Sequence, residues 1–130
     1  MMVLDASVVV ELLTEGILAD SIRDGLAGSD ESLIVPHLLD VEAMSALRRL
    51  VAAERIDAHR AAQFIAGLAM LPAERYSHTP LLARIWELRH NFTAYDAAYI
   101  ALAEATDSVL LTCDEKLRRG HRARVVVFTS

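Results

Sequence analysis

The sequence predicts an α/β fold in which a parallel sheet is covered by helices on both faces, and three observations predict it. Short, continuously apolar runs at residues 2–4, 33–35, 109–112 and 125–128 have the composition of strands buried on both sides. Between them, apolar residues recur three or four apart, the spacing of amphipathic helices. The intervals also suit crossover connections, which parallel strands need and hairpins do not. A chain of 130 residues can bury one core without staples, so residues 1–130 are expected to form a single domain.

Met2-Val3-Leu4 ends at Asp5, and helical spacing from Ser7 to Leu13 makes the opening a buried strand turning into a helix. Ile17 to Leu26 continues as a helix that stops at Gly28. The run Gly28-Ser29-Asp30-Glu31-Ser32 is loop chemistry, followed by a strand at 33–35 closed by Pro36. A long helix from Leu38 to about Arg55 and a second from Asp57 to Leu71 form a hairpin pair, which Pro72 ends. Arg75-Tyr76-Ser77 carries a weak strand or edge signal, and residues 79–90 are expected to be one amphipathic helix. Thr93 and Asp96 have capping-box spacing ahead of a helix through Ala105. A strand at 109–112, a short helix from Asp114 to Arg119 ended by Gly120, and a final β-branched and aromatic strand at 125–128 complete the chain.

Lys and Arg total 13 against 18 Asp and Glu, and the net charge of -5 gives no general attraction to a polyanion. Any nucleic-acid role must then rest on local charge. Cys113 is the only cysteine, which excludes an internal disulfide and a cysteine-only metal site and fits a reducing compartment. The amino terminus lacks the basic and apolar regions of a signal peptide, so a cytoplasmic location is expected. The longest charge-free apolar stretch, residues 61–73, is shorter than the roughly 20 residues of a membrane span. A hydrophobic fraction of 54% suggests an apolar surface reserved for a partner or a second copy.

In an open α/β sheet, ligands bind beyond the carboxyl ends of the strands. Asp5 follows the first strand, Asp114 follows the strand at 109–112, Asp96 lies in the first turn of its helix, and Glu42 sits early in the helix after the second strand. Singly, each has a structural explanation as a cap or a first-turn acid. Together, set among apolar neighbours such as Phe92, Ala97, Ala98 and Tyr99, they would repel one another unless a cation lay between them. Carboxylates without Cys or His form a hard-oxygen site, suited to Mg2+ or Mn2+ and to phosphate chemistry.

The segments Val3-Leu4-Asp5-Ala6-Ser7, Pro36 leading to Glu42, Thr93-Ala94-Tyr95-Asp96-Ala97-Ala98-Tyr99 and Leu111-Thr112-Cys113-Asp114, in this order, resemble PIN-domain ribonucleases and most closely the VapC toxins of type II toxin-antitoxin pairs. The resemblance covers nearly the whole chain and implies the PIN three-layer α/β/α sandwich with a central parallel sheet. It implies that Asp5, Glu42, Asp96 and Asp114 are the metal-binding and catalytic acids, with Ser7, Thr93 and Thr112 lining or orienting the site. It further implies an Mg2+- or Mn2+-dependent endoribonuclease acting on RNA, a homodimer, and inhibition by a cognate VapB-type antitoxin that covers the site.

Lys116, Arg118 and Arg119, with His121, Arg122 and Arg124 beyond them, form a basic run after Asp114 that either holds RNA phosphates or is a solvated surface. Arg48, Arg49 and Arg55 on the Leu38 helix could hold phosphates in the same way, though helix-face solubility suits them better. The histidines show no metal-pair spacing, Trp86 is expected in core or dimer packing, and Tyr95 and Tyr99 beneath the site. Two other functions compete: a non-catalytic PIN-like module that binds RNA or protein, and a phosphoryl-transfer domain with a phosphorylated Asp. Retention of all four acids opposes the first. The absence of a partner acid two residues after Asp5 and of a lysine after a late strand opposes the second.

Overall fold

A computed structural model describes all 130 residues. Five strands, β1 (Met2–Leu4), β2 (Leu33–Pro36), β3 (Ala73–Tyr76), β4 (Val109–Thr112) and β5 (Arg124–Val127), pair entirely in parallel in the order β3-β2-β1-β4-β5. Strand order reverses between β1 and β4, where Met2, Val3 and Leu4 lie in register with Val109, Leu110 and Leu111. That reversal opens a crevice at the carboxyl ends of the two central strands.

Six helices flank the sheet in two groups. The first comprises α1 (Ala6–Leu13), α2 (Ala19–Ala27), α3 (Leu38–Ala52) and α4 (Ala58–Ala69), with α1 packed on α2, α3 and α4, and α3 paired with α4. The second comprises α5 (Leu82–Glu87) and α6 (Ala94–Thr106), and α6 lies across β1, β2 and β4. Residues Ala97 through Ala103 of α6 are all buried, so this helix is apolar around its whole circumference, as a central element must be. Tyr99, Leu4, Ile34, Ile100 and Leu110 are among the largest fully buried side chains of the core. No helix is long and apolar enough to cross a membrane.

The expected α/β/α sandwich is therefore present, with local differences. Residues 79–90 do not form one helix: Pro80 starts a 3-10 turn at Thr79–Leu81, and α5 stops at Glu87 because the chain turns to bury Phe92. Trp86 is 67% exposed and outside the core, its ring covered by the Arg89 guanidinium 4.5 Å from the centroid. The weak segment at 75–77 overlaps the end of the edge strand β3, with Ser77 just beyond it, and the turn after β4 is a 3-10 helix at Glu115–Arg118. Gly120 follows it at φ +98, with Phe92 packed 3.3 Å from where a Cβ would stand.

Candidate active site

Asp5 is the first residue beyond β1 and the N-cap of α1, so the end of a buried strand fixes its backbone. Its carboxylate is almost completely buried and fully engaged. Oδ1 accepts from the Ser7 hydroxyl at 2.5 Å and the Val8 amide at 3.1 Å, and Oδ2 accepts from the Thr112 hydroxyl. Those hydroxyls are themselves oriented: Ser7 Oγ accepts the Cys113 amide at 2.9 Å and Thr112 Oγ1 accepts the Asp114 amide at 3.0 Å. The end of β4 is thus tied to the end of β1 through the acid between them. Burial pushes the Asp5 carboxyl above its ordinary range, and its hydrogen bonds oppose that rise.

Glu42 lies on α3, half-buried, and its Oε1 accepts the Tyr99 hydroxyl from α6 at 2.6 Å. Burial raises this carboxyl too, and the charges of Asp96 and Asp5 add to the effect. Thr93 is the N-cap of α6 and accepts the Asp96 amide at 3.1 Å, so only the first half of the expected capping box forms. The Asp96 carboxyl is raised by burial and by the charge of Asp114, with Lys116 opposing. Asp114 caps the 3-10 turn through the Lys116 amide at 2.9 Å, and the Lys116 ammonium lies 3.8 Å from its other oxygen.

The sequence-predicted acids thus gather at one end of the sheet and feel one another's charge. They do not form a closed cage: no three of the His, Cys, Asp and Glu side chains converge tightly enough to grip an ion as they stand. The donor set nevertheless suits a hard divalent cation, because it offers carboxylate oxygens already oriented by hydroxyls, on groups whose pKa is raised first by burial and further by neighbouring carboxylate charge. Ser7 and Thr112 touch Asp5 directly, whereas Thr93 acts on the backbone of Asp96. Of the basic run, Lys116 faces the acids, Arg118 is held by Glu115 at 2.8 Å, and Arg119 is exposed and unpaired.

Of the two tyrosines expected beneath the site, Tyr99 lies there and Tyr95 does not. Tyr99 is buried there, but its hydroxyl orients Glu42, a function that only the fold reveals because 57 residues separate them. Tyr95 is 62% exposed. It lines a cleft of about 330 Å3 with Val41, Glu42, Ser45 and Arg49. Arg49, for which the sequence offered RNA-phosphate contact beside the preferred solubilising face, also lines a second cleft of about 340 Å3 with Ser7, Glu11, Glu42 and Cys113. The signal for it was available, since Glu42, Ser45 and Arg49 share one face of α3 at helical spacing.

Residues 2–122 match the model of the PIN domain family. Ribonuclease VapC1 of Mycobacterium tuberculosis is 44% identical over 112 residues, covering 76% of this chain and 84% of that protein. Ribonuclease VapC12 of the same species is 35% identical over 121 residues, covering 93% of this chain and 92% of its own length. A toxin-antitoxin complex from Klebsiella pneumoniae shares the fold at a TM-score of 0.72, with 16% identity over 98% of this chain and 97% of the matched one. The chain belongs to the PIN domain family and, within it, to the VapC ribonucleases.

Proposed function

We propose that this protein is a divalent-metal-dependent endoribonuclease toxin that hydrolyses RNA phosphodiester bonds at the Asp5, Glu42, Asp96 and Asp114 cluster and is neutralised by a VapB-type antitoxin. The observation that carries this reading is the meeting of these acids at one end of the sheet, Asp5 tied to the end of β4 and Glu42 tied to α6, where burial first and neighbouring carboxylate charge second raise the pKa of three of them. Carboxylate oxygens of this kind would hold Mg2+ or Mn2+. When bound, such an ion neutralises the phosphodiester, lowers the pKa of water and stabilises the leaving oxygen.

The chain's own residues supply position. Ser7 and Thr112 direct both oxygens of Asp5, and their hydrogen bonds favour its charged form against the opposing effect of burial. Tyr99 restrains Glu42 and leaves its other oxygen free. Thr93 fixes the first turn of α6 and therefore Asp96, while Lys116 beside Asp114 offers a cation to an RNA phosphate. A cytoplasmic location and a homodimer are part of the same proposal, carried over from the resemblance to the VapC toxins.

Asp5→Asn, Glu42→Gln, Asp96→Asn and Asp114→Asn are expected to abolish growth arrest on expression. Each should lower Mn2+-dependent RNA cleavage by more than the roughly 10–100-fold that loss of an outer-shell partner costs. Circular dichroism should show intact folds. Undiminished toxicity in the Asp5 or Asp96 variant would defeat the assignment, and tight Mn2+ binding by wild type without cleavage of any RNA would make the protein a binding module.

A further inference from the structure

The Glu42 side of the acidic cleft carries a cation and an exposed aromatic ring that nothing inside the molecule employs. Arg49 has no ion pair and no hydrogen bond to its guanidinium, while Arg75, Arg84 and Arg118 each have a carboxylate partner. It is nevertheless close enough to Glu42 to favour that residue's charged form. Arg49 follows Glu42 by two helical turns, about 10 Å along the axis, and helical side chains lean toward the N-terminus. That direction carries the guanidinium back over Ser45 and Ala46 toward the acid, which is why it borders the clefts on both sides of Glu42.

Across the second of those clefts stands Tyr95, in the first turn of α6 and immediately before Asp96. The face of α6 two residues further on is buried, so Tyr95 is presented outward by helical geometry, with Val41 as an exposed apolar neighbour in the same cleft. An aromatic ring, an aliphatic side chain and a free guanidinium around about 330 Å3 are complementary to one unpaired nucleotide, base on the ring and phosphate on the cation. A duplex would keep its bases stacked away from Tyr95, whereas a single strand can splay one out.

We propose that Tyr95 and Arg49 form a nucleotide subsite beside Glu42, in which Tyr95 stacks on an unpaired base of single-stranded RNA and Arg49 holds the phosphate attached to it. The subsite rests on the ribonuclease reading above and places the substrate strand across α3 and the start of α6.

The test is single-turnover cleavage of a fluorescein-labelled, random-sequence single-stranded RNA 12-mer by excess full-length protein with Mn2+, giving a half-saturating concentration and a plateau rate. Tyr95→Ala is expected to raise the half-saturating concentration about tenfold, within the range for loss of one stacked base, with a much smaller fall in plateau rate. Tyr95→Phe should recover most of that affinity. Arg49→Gln should weaken saturation and flatten its log-log salt dependence by about 0.7, the slope for one single-strand phosphate contact. Wild-type saturation and salt slope in both Tyr95→Ala and Arg49→Gln overturn the subsite and leave these residues to a protein partner. Failure of wild type to cleave any RNA overturns the ribonuclease reading itself. Thermal unfolding of each variant separates a folding defect from a binding one, and both side chains are exposed enough to be replaced without disturbing the core.

Discussion

At Thr112 a single hydroxyl accepts a hydrogen bond from the Asp114 amide and donates one to Asp5, so one buried side chain orients two of the four acids. Thr112→Val keeps the shape, strips both partners, and is expected to cost about 2 kcal/mol, a typical value for a hydrogen bond to a charged group. Hydrogen bonds to a carboxylate favour its charged form, and without this one the Asp5 carboxyl must rise further. The acid limb of the cleavage pH profile should therefore move to higher pH in Thr112→Val and return with Thr112→Ser. An acid limb that stays in place while the urea midpoint drops would make Thr112 a purely structural residue. Asp5 was legible in the sequence because it follows an unmistakable strand, and Thr112 through the family resemblance of Leu111-Thr112-Cys113-Asp114. The hydrogen bond between them was not, since it depends on β1 and β4 being neighbours.

The elements that were read well are those whose local chemistry agrees with their tertiary role. β1, β2 and β4 are apolar on both faces because they are covered on both faces, and the start of α6 is announced by Thr93. β3 was faint because its stability comes from elsewhere. The Arg75 guanidinium donates to the carbonyls of Leu68, Leu71 and Ala73 and to both oxygens of Asp40, tying the end of α4 and the edge strand to α3. A polar residue in a staple of that kind lowers the strand signal while strengthening the strand. The overlong reading of residues 79–90 failed for the opposite reason: the periodicity is genuine, but Pro80 and the burial of Phe92 limit the helix to Leu82–Glu87. Arg75→Lys retains the charge but loses the planar fork. It is expected to destabilise the protein by about 2 kcal/mol in urea and to speed amide exchange selectively in β3. Uniform exchange across the sheet would mean that Arg75 does not secure that edge.

Across the whole molecule, the carboxyls divide into two populations whose effects on stability have opposite signs. Glu15, Glu104 and Glu115 sit below their ordinary values: hydrogen bonds from Arg23 and Arg118 lead at Glu15 and Glu115, and at Glu104 the bonds from Arg84 and Arg122 overcome burial. Their contribution is present above the usual carboxylate range and is lost only as pH falls through their lowered values. Asp5, Glu42 and Asp96 sit above their ordinary values, burial being the leading cause at each. A raised acid binds its proton more tightly folded than unfolded, so its contribution is complete below the unfolded pKa and disappears as pH rises through the folded one. The metal-free protein is therefore expected to gain thermal stability as pH falls from neutral toward the ordinary carboxylate range, before the lowered group begins to protonate. Divalent cations bind the deprotonated carboxylates, so saturating Mn2+ should stabilise most at the high end of that window and reverse the slope. Asp96→Asn removes one crowded charge and should raise the melting temperature of the metal-free protein at neutral pH by a few degrees, while losing most of the stabilisation by Mn2+. Scanning calorimetry with chelator and with Mn2+, across pH, measures both slopes. Metal-free stability that climbs with pH through this window, or an Asp96→Asn variant that Mn2+ stabilises as fully as wild type, would show that the crowded acids are not where the cation binds.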